Sequence, residues 1–233
     1  VKGEIFTSEA TTAEMCKLME NTYRDVNIAL ANELAMLCEK MGVNAWDVIK
    51  YANKHPRVNL HMPGPGVGGH CIAVDPWFIV EKQPERAKMI NLARNTNDGM
   101  PHYVLDKIKD LTKNVEGKIK VCILGVTYKP NVDDMRESPI IELIHLLNEQ
   151  GNFETVVVDS HVDFDGSKEM DVYTAAMDAH LLVLAVNHNE FKELDFTRIK
   201  NLMKCPVAFD TRNYWDADSI EKTGMEYHLL GWG

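Results

Sequence analysis

Residues 118–126 read KIKVCILGV, an apolar run that leads into Gly125. Such a run is expected of a strand that is buried on both faces of a parallel sheet. Three further apolar runs follow, with helical patterns between them: TVVVDS (155–160), LLVLAVNH (181–188) and VAFDT (207–211). Strands that alternate with helices predict a doubly wound, mainly parallel, Rossmann-like sheet.

The first half of the chain has helical patterns instead. Residues 11–41 carry apolar side chains at a spacing close to 3.6, which predicts one long amphipathic helix. Its apolar positions are Met15, Leu18, Met19, Val26, Leu30, Leu34, Leu37 and Met41. Further helical patterns cover residues 44–55, 75–81 and 84–115. We therefore predict an α + α/β protein, with a helical domain at residues 1–115 and a sheet domain at residues 116–233.

Composition restricts the partners. The 233 residues carry a formal net charge of -10, which argues against a broad nucleic-acid surface. An anionic ligand must then meet a local cluster of Arg and Lys. No apolar run approaches membrane-spanning length, so we expect no membrane partner. The chain begins at Val1 and not at Met, which suggests a processed product or a fragment.

The five cysteines form no C-x-x-C pair, and their number is odd. This pattern argues against a disulfide framework and against a zinc site, so we predict no metal and a reducing, cytoplasmic location. Cys16, Cys38 and Cys122 lie in helical or strand patterns and are expected in the core. Cys71 alone lies in a polar, glycine-rich loop.

The loop that carries Cys71 reads MPGPGVGGHCIAVDPW over residues 62–77. Gly64, Gly66 and Gly69 fit the spacing G-x-G-x-x-G, but a dinucleotide loop requires a strand before it and a helix directly after it. The other interpretation is a cradle beside a short helix with Asp75 as its N-cap. The exposed N–H groups and the dipole of that helix would give the Cys71 sulfur thiolate character. A structural turn with a bystander thiol is an equally open alternative.

Two further clusters are candidates for ligand contacts. Lys17 and Asn21 lie four residues apart on one helical face, where they can donate to an oxyanion, although both also suit an ordinary solvated surface. Lys129 and Arg136 follow the first predicted strand, and a helix begins near Ser138. Two cationic side chains beside a helix N-terminus favour an anionic ligand such as a nucleotide diphosphate. The alternative is an ordinary charged loop exposed to solvent.

Four segments together carry a family resemblance: EMCKLMENTY (14–23), PGPGVGGHCIAVDPWF (63–78), LGVTYKPNVDDMRESP (124–139) and, more weakly, FDTRN (209–213). The chain resembles the nucleotide-sugar 6-dehydrogenases of the UDP-glucose/GDP-mannose dehydrogenase family. The sequence GGHCIAVDPWF is similar to its N-acetylmannosamine branch, since Ala73 and Val74 stand where the UDP-glucose branch has Pro-Lys. The resemblance covers the family's central and C-terminal domains, and no strand with a dinucleotide fingerprint matches its N-terminal NAD domain.

The resemblance implies an NAD-dependent oxidation of a sugar C6 alcohol to a carboxylate in two hydride transfers, for surface polysaccharide precursors. Cys71 then forms a thiohemiacetal and a thioester. Lys17 and Asn21 match the pair that binds the oxyanion or the water, and Asp75 matches a carboxylate that assists proton transfer. Without the NAD domain, a fragment is expected to be inactive alone.

The resemblance also implies the remaining contacts. Substrate-binding positions are Arg57, which reaches across a dimer, Gly66, Gly68, Gly69, His70, Lys129 and Arg212. Arg136 matches an arginine near the NAD phosphates, and the helix at 11–41 is expected to form a homodimer.

Three alternatives stay open. The chain can belong to a dehydrogenase of UDP-N-acetylglucosamine or UDP-N-acetylgalactosamine, or to a non-catalytic dimer that binds a nucleotide sugar. The third is an NAD enzyme that performs one oxidation, such as a 6-phosphogluconate or hydroxyacid dehydrogenase.

Overall fold

A computed structural model describes residues 3–233, which form nine α-helices and one five-stranded sheet. The helical part contains α1 (Ala10–Met41), α2 (Ala45–Ala52), α3 (Asp75–Lys82), α4 (Lys88–Asp98) and α5 (Met100–Thr112). The rest contains β1 (Ile119–Leu124), α6 (Pro139–Glu149), β2 (Phe153–Val158), α7 (Val172–Ala176), β3 (Leu181–Leu184), α8 (Phe196–Leu202), β4 (Val207–Asp210), α9 (Ala217–Glu221) and β5 (Glu226–Leu229).

All strand pairs in the sheet are parallel, and the strand order is β2-β1-β3-β4-β5. Val121 of β1 pairs with Thr155 on one side and with Leu181 on the other. The connection after β1 leads to β2 on one side of the sheet, and the connection after β3 leads to β4 on the other side. The carboxyl ends of β1 and β3 therefore border the crevice where such sheets bind ligands. The predicted fold class, α + α/β with a Rossmann-like parallel sheet, is confirmed.

The four predicted strands correspond to β1–β4, but the prediction missed β5. This strand has only four residues and lies at the edge of the sheet. Along β5, buried side chains alternate with exposed or half-buried ones. The strand therefore lacks the continuous apolar run that is typical of the central strands.

Helices cover both faces of the sheet. On one face, α5 and α6 pack against alternate strand residues such as Val121 and Ile123. On the other face, α7, α8 and α9 pack against Cys122, Leu124 and their neighbours. Because α5 shares the core of the sheet, the two halves of the chain are in contact well before the boundary that the sequence predicts between residues 115 and 116. That boundary stays a prediction.

Of the eight apolar positions predicted on helix α1, five are exposed, and Leu18, Val26 and Leu34 are half-buried. Leu30, Leu37 and Met41 are 52%, 53% and 73% exposed, and its buried positions are mostly small or polar residues. The prediction of a core position for Cys16 is wrong, since this thiol is exposed, whereas Cys38 is buried as expected. Although α1 has 32 residues, neither it nor another helix within residues 3–233 is apolar enough to cross a membrane.

A buried polar chain connects α1, α4 and the glycine loop. Arg94 of α4 donates to Asp25 of α1 over 2.5 Å, and the Asn97 amide donates to the same carboxylate oxygen over 2.8 Å. The Asn32 amide donates to Oδ1 of Asn97, and its own Oδ1 accepts the Gly64 N–H, both over 2.9 Å. The position of the loop backbone therefore depends on the ion pair behind it.

We expect Asp25→Ala to lower the free energy of unfolding by about 3 kcal/mol, because the buried Arg94 keeps only the half-exposed Asp98 as an ionic partner among the described residues. Urea denaturation followed by circular dichroism measures the change. Lys118→Ala is the matched control, since the Lys118–Glu154 pair is 66% and 47% exposed. Its loss is expected below about 1 kcal/mol. Equal losses in the two variants would contradict a structural role for the buried pair.

Candidate active site

Cys71 lies in a turn directly before α3, and its thiol is exposed. The N–H groups of Val74 and Asp75 donate to the Cys71 carbonyl oxygen over 3.2 and 2.8 Å. Asp75 is the first residue of α3, so its prediction as N-cap is wrong, and Val74 takes that position without a side-chain bond. Because both N–H groups donate to the carbonyl oxygen, they do not donate to the Cys71 sulfur, contrary to the expectation from the sequence.

The glycines before Cys71 allow two loops of the protein to touch. A Cβ on Gly68 would collide with the carbonyl oxygen of Glu137, and one on Gly69 would lie 2.7 Å from the Tyr128 ring. Gly69 has a φ of +90° and donates its N–H to the Arg136 carbonyl over 3.1 Å. These glycines are therefore required for packing against the loop after β1, and not only for space beside a ligand.

The same loop does not have the geometry of a dinucleotide site. Within residues 3–63 no strand precedes Gly64, and a turn separates Gly69 from α3. The connection from β1 to α6 follows a strand, but it contains only Gly125. Within residues 3–233, no glycine-rich turn joins a strand to a helix in the way that NAD binding requires.

A cavity of about 450 Å³ opens between α1, the glycine loop and the loop after β1. Its lining residues are Lys17, Asn21, Arg24, Gly68, Gly69, His70, Cys71, Ile72, Tyr128, Lys129, Asp134 and Arg136. Three segments that are far apart in sequence thus meet around one exposed thiol.

A short hydrogen bond joins two of the predicted catalytic residues. Asn21 is 4% exposed, and its amide donates to Oδ2 of Asp75 over 2.6 Å. This bond fixes the Asp75 carboxylate at the beginning of α3 relative to α1. Lys17, one helical turn before Asn21, is 64% exposed. Among the described residues its ammonium group bonds to Glu20 over 3.3 Å, an exposed pair that a ligand can replace.

The cavity lining is rich in cations. Lys17, Arg24, Lys129 and Arg136 face it, and Asp134 is the acidic residue of the lining. Arg136 binds Asp134 through two nitrogens, over 3.0 and 2.7 Å. The hydrogen bonds from Arg136 lower the pKa of Asp134 to about 2, so this pair stays ionised at neutral pH. The remaining cations give the site the charge that an anionic ligand needs.

Arg24 is a cavity residue that the sequence reasoning missed. It lies three residues after Asn21 and seven after Lys17, so all three share one helical face. Extending the Lys17–Asn21 face by one turn would have found it.

Three predicted substrate residues lie outside this cavity. Arg57 is exposed in the segment after α2, and Gly66 packs against Pro139. Arg212 donates from Nε to the Ala185 carbonyl over 3.0 Å, and its guanidinium lies against Gly64. Burial lowers the pKa of Arg212 to about 10, which still leaves it charged at neutral pH.

Among the described residues, one group of side chains has the ligand types of a metal site: His161, His188 and Glu190. Both ring nitrogens of His188 already lie within hydrogen-bond distance of protein groups. The two rings also stack, with centroids 4.5 Å apart and planes 25° apart, so their in-plane lone pairs do not converge. The expectation of no metal stays a prediction.

Two protein-family models match the chain. Residues 11–99 match the central domain of the UDP-glucose/GDP-mannose dehydrogenase family, and residues 122–217 match the UDP binding domain of the same family. The chain belongs to this family.

Individual relatives agree with this assignment. The UDP-N-acetyl-D-mannosamine dehydrogenase of Methanocaldococcus jannaschii is 48% identical over 100% of this chain and 54% of its own length. An NDP-N-acetyl-D-galactosaminuronic acid dehydrogenase of Ralstonia nicotianae is 46% identical over 94% of this chain and 52% of its own. A solved UDP-N-acetyl-mannosamine dehydrogenase from S. aureus has a TM-score of 0.86 at 47% identity, covering 99% of this chain and 54% of that one. The chain spans about half the length of the curated relatives it matches.

Proposed function

We propose that this chain is the substrate- and thiol-bearing part of a UDP-N-acetyl-D-mannosamine 6-dehydrogenase. The observation that carries the proposal is the cavity, where Cys71, Lys17 and the Asn21–Asp75 pair meet beside a cluster of cations. Relatives with 44–48% identity include several UDP-N-acetyl-D-mannosamine dehydrogenases, which supports this substrate class.

A second candidate substrate is a nucleotide-linked N-acetylgalactosamine derivative. The Ralstonia nicotianae relative, named for N-acetyl-D-galactosaminuronic acid, is nearly as similar to this chain as the mannosamine enzyme from Methanocaldococcus jannaschii. The two sugars differ in the stereochemistry of their hydroxyl and acetamido groups, and the affinity of the chain for each distinguishes these candidates.

The reaction that fits the site passes through a covalent bond to sulfur. The Cys71 thiolate adds to the C6 aldehyde, so a C–S bond forms and the carbonyl oxygen becomes an oxyanion. Lys17 and Asn21 face the same cavity and can donate to that oxygen. After the second oxidation, water attacks the thioester carbon, the C–S bond breaks and the sulfur leaves as thiolate. Asp75, oriented by Asn21, accepts the proton of that water.

The hydride acceptor implied by the family is NAD, and the described residues do not form its dinucleotide loop. The chain's own contribution is therefore to bind the nucleotide sugar and to hold its C6 at Cys71. Arg136 is the residue proposed to contact NAD phosphates. Since it is held by Asp134, it would have to exchange that carboxylate for a phosphate.

The phosphate-rich part of the substrate is assigned to the cationic side of the cavity. Lys129 is exposed in the cavity lining, and its ammonium group lies 5.5 Å from the centre of the Tyr128 ring, a contact that still leaves room for an anion. Gly68, Gly69 and His70 line the same space. Arg57, Gly66 and Arg212 stay proposed substrate contacts, of which Arg57 would act from the second copy of a dimer.

The homodimer is proposed from the outward face of α1. Met15, Met19, Tyr23, Leu30, Leu37 and Met41 are 44–73% exposed and recur at intervals of four and seven residues along one side of the helix. Met89 and Leu92 of α4 are 68% and 63% exposed. An apolar stripe of this length on a charged chain is typical of an interface.

We expect the chain to be a dimer at micromolar concentration, and the double variant Leu30→Glu/Leu37→Glu to be a monomer, because two charges enter an apolar interface. Light scattering after size exclusion measures the mass. Glu116→Lys, an exposed change outside the stripe, is the control and should stay dimeric. A monomeric parent chain would contradict the proposed interface.

Calorimetric titration tests the proposed ligand. We expect UDP and UDP-N-acetylhexosamines to bind to the chain. Lys129→Ala should weaken the affinity for UDP about tenfold, because the loss of one charge-assisted contact costs ~1.4 kcal/mol. Lys192→Ala, an exposed lysine outside the cavity, should bind as the parent does. NAD should show essentially no binding. A parent chain that binds no UDP would overturn the proposed function, and tight NAD binding would overturn the assignment of the chain to the two domains without the NAD fingerprint.

A further inference from the structure

His188 is a buried histidine in the segment that follows the carboxyl end of β3, outside the cavity lining. It is 0% exposed, and it lies between the stacked ring of His161 and the edge of Phe191, whose centroid is 5.6 Å away. No step of the proposed reaction uses it. A buried imidazole ring needs hydrogen-bond partners for its two nitrogens, and the identity of these partners indicates the role of the residue.

The hydrogen bonds of His188 determine its tautomer. The Asn131 N–H donates to Nδ1 over 2.9 Å, so Nδ1 carries a lone pair and the proton is on Nε2. Nε2 lies 3.1 Å from Oδ2 of Asp159 and 3.1 Å from the Thr127 hydroxyl. That hydroxyl donates to the Lys129 carbonyl over 2.9 Å, so it acts only as an acceptor towards the ring.

Asp159 is the fixed end of this chain of bonds. Its carboxylate also accepts the N–H groups of Val126 and His161 over 2.8 and 2.9 Å. Burial alone would raise the pKa of Asp159, but the hydrogen bonds from His188 and from these N–H groups outweigh burial and lower it. The carboxylate therefore stays ionised at the end of β2 and orients the imidazole ring.

The other end of the chain of bonds holds the turn that carries Lys129. Thr127 holds the Lys129 carbonyl, and His188 holds the backbone of Asn131 two residues later. Asn131 has a φ of 59°, a left-handed conformation, and its side chain accepts the Asn189 N–H over 3.0 Å. The turn is thus fastened on both sides of Lys129, while the Lys129 side chain stays exposed at the cavity.

We infer that His188 is a positioning residue: as a neutral ring between Asp159 and Asn131, it holds the 127–131 turn so that Lys129 meets the anionic part of the ligand. The inference rests on the proposed function, because it explains how Lys129 is positioned to contact the anionic part of the proposed ligand. His188 itself does not touch the ligand.

Two substitutions separate the two nitrogens of His188. In His188→Asn, the amide oxygen takes the place of Nδ1 and still accepts the Asn131 N–H. In His188→Gln, the amide nitrogen takes the place of Nε2 and donates to Asp159, but Asn131 loses its acceptor. Both variants remove the ring contacts to His161 and Phe191 equally.

We expect His188→Gln to weaken UDP binding about tenfold and His188→Asn to retain affinity within about threefold, by calorimetry at matched folded fraction. Amide hydrogen exchange gives a second readout, in which Asn131 should stay protected in the parent and in His188→Asn and exchange freely in His188→Gln. A merely structural ring would give equal losses in both variants, and this result, or a greater loss in His188→Asn, overturns the inference.

If neither His188 variant folds, Thr127→Val and Thr127→Ser replace them. Valine at position 127 removes the hydrogen bond to the Lys129 carbonyl, whereas serine retains it. Only Thr127→Val should therefore weaken the binding of UDP. Equal affinity of these two variants would overturn the inference. A parent chain that binds no UDP fails the proposed function first, before any variant is compared, so the two failures are distinguishable.

Discussion

The direct contact between the glycine loop and the loop after β1 is the constraint on which the site depends. Gly68 and Gly69 allow it, because side chains there would meet the Glu137 carbonyl and the Tyr128 ring. Behind the loop, Asn32 holds the Gly64 N–H, and the Arg212 guanidinium lies against Gly64 from the sheet side. A thiol from the helical half is thereby held beside cations from the sheet half.

Helix α1 links this site to the surface by an unusual division of its faces. Its buried side carries Asn21, Asp25 and Asn32, which bond to Asp75, Arg94 and Gly64 in turn, and its apolar stripe faces outward. Buried polar residues and an exposed apolar stripe are both informative, because globular helices usually show the opposite. One helix can therefore orient the site and present the proposed interface.

The sequence predicted the parts of the structure that depend on short-range patterns. Buried apolar runs identified β1–β4, and the spacing of Lys17 and Asn21 placed them on one face. The sequence could not predict β5, a four-residue edge strand without a continuous apolar run. It also could not predict that Gly68 and Gly69 are needed for packing, because their partner is a loop some 60 residues away. The His188 contacts join the ends of three strands, and only the folded sheet brings them together.

The proposed bond between the Cys71 sulfur and the sugar C6 can be tested without any oxidation. A UDP-N-acetylhexosamine 6-aldehyde labelled with carbon-13 at C6 should form a thiohemiacetal, seen by carbon NMR as a signal distinct from the hydrated aldehyde. We predict that signal with the parent chain and with Cys16→Ser, which changes another exposed thiol, and its absence with Cys71→Ser. The same signal in Cys71→Ser, or none from a parent chain saturated with the aldehyde, would contradict the role of Cys71 as the nucleophile.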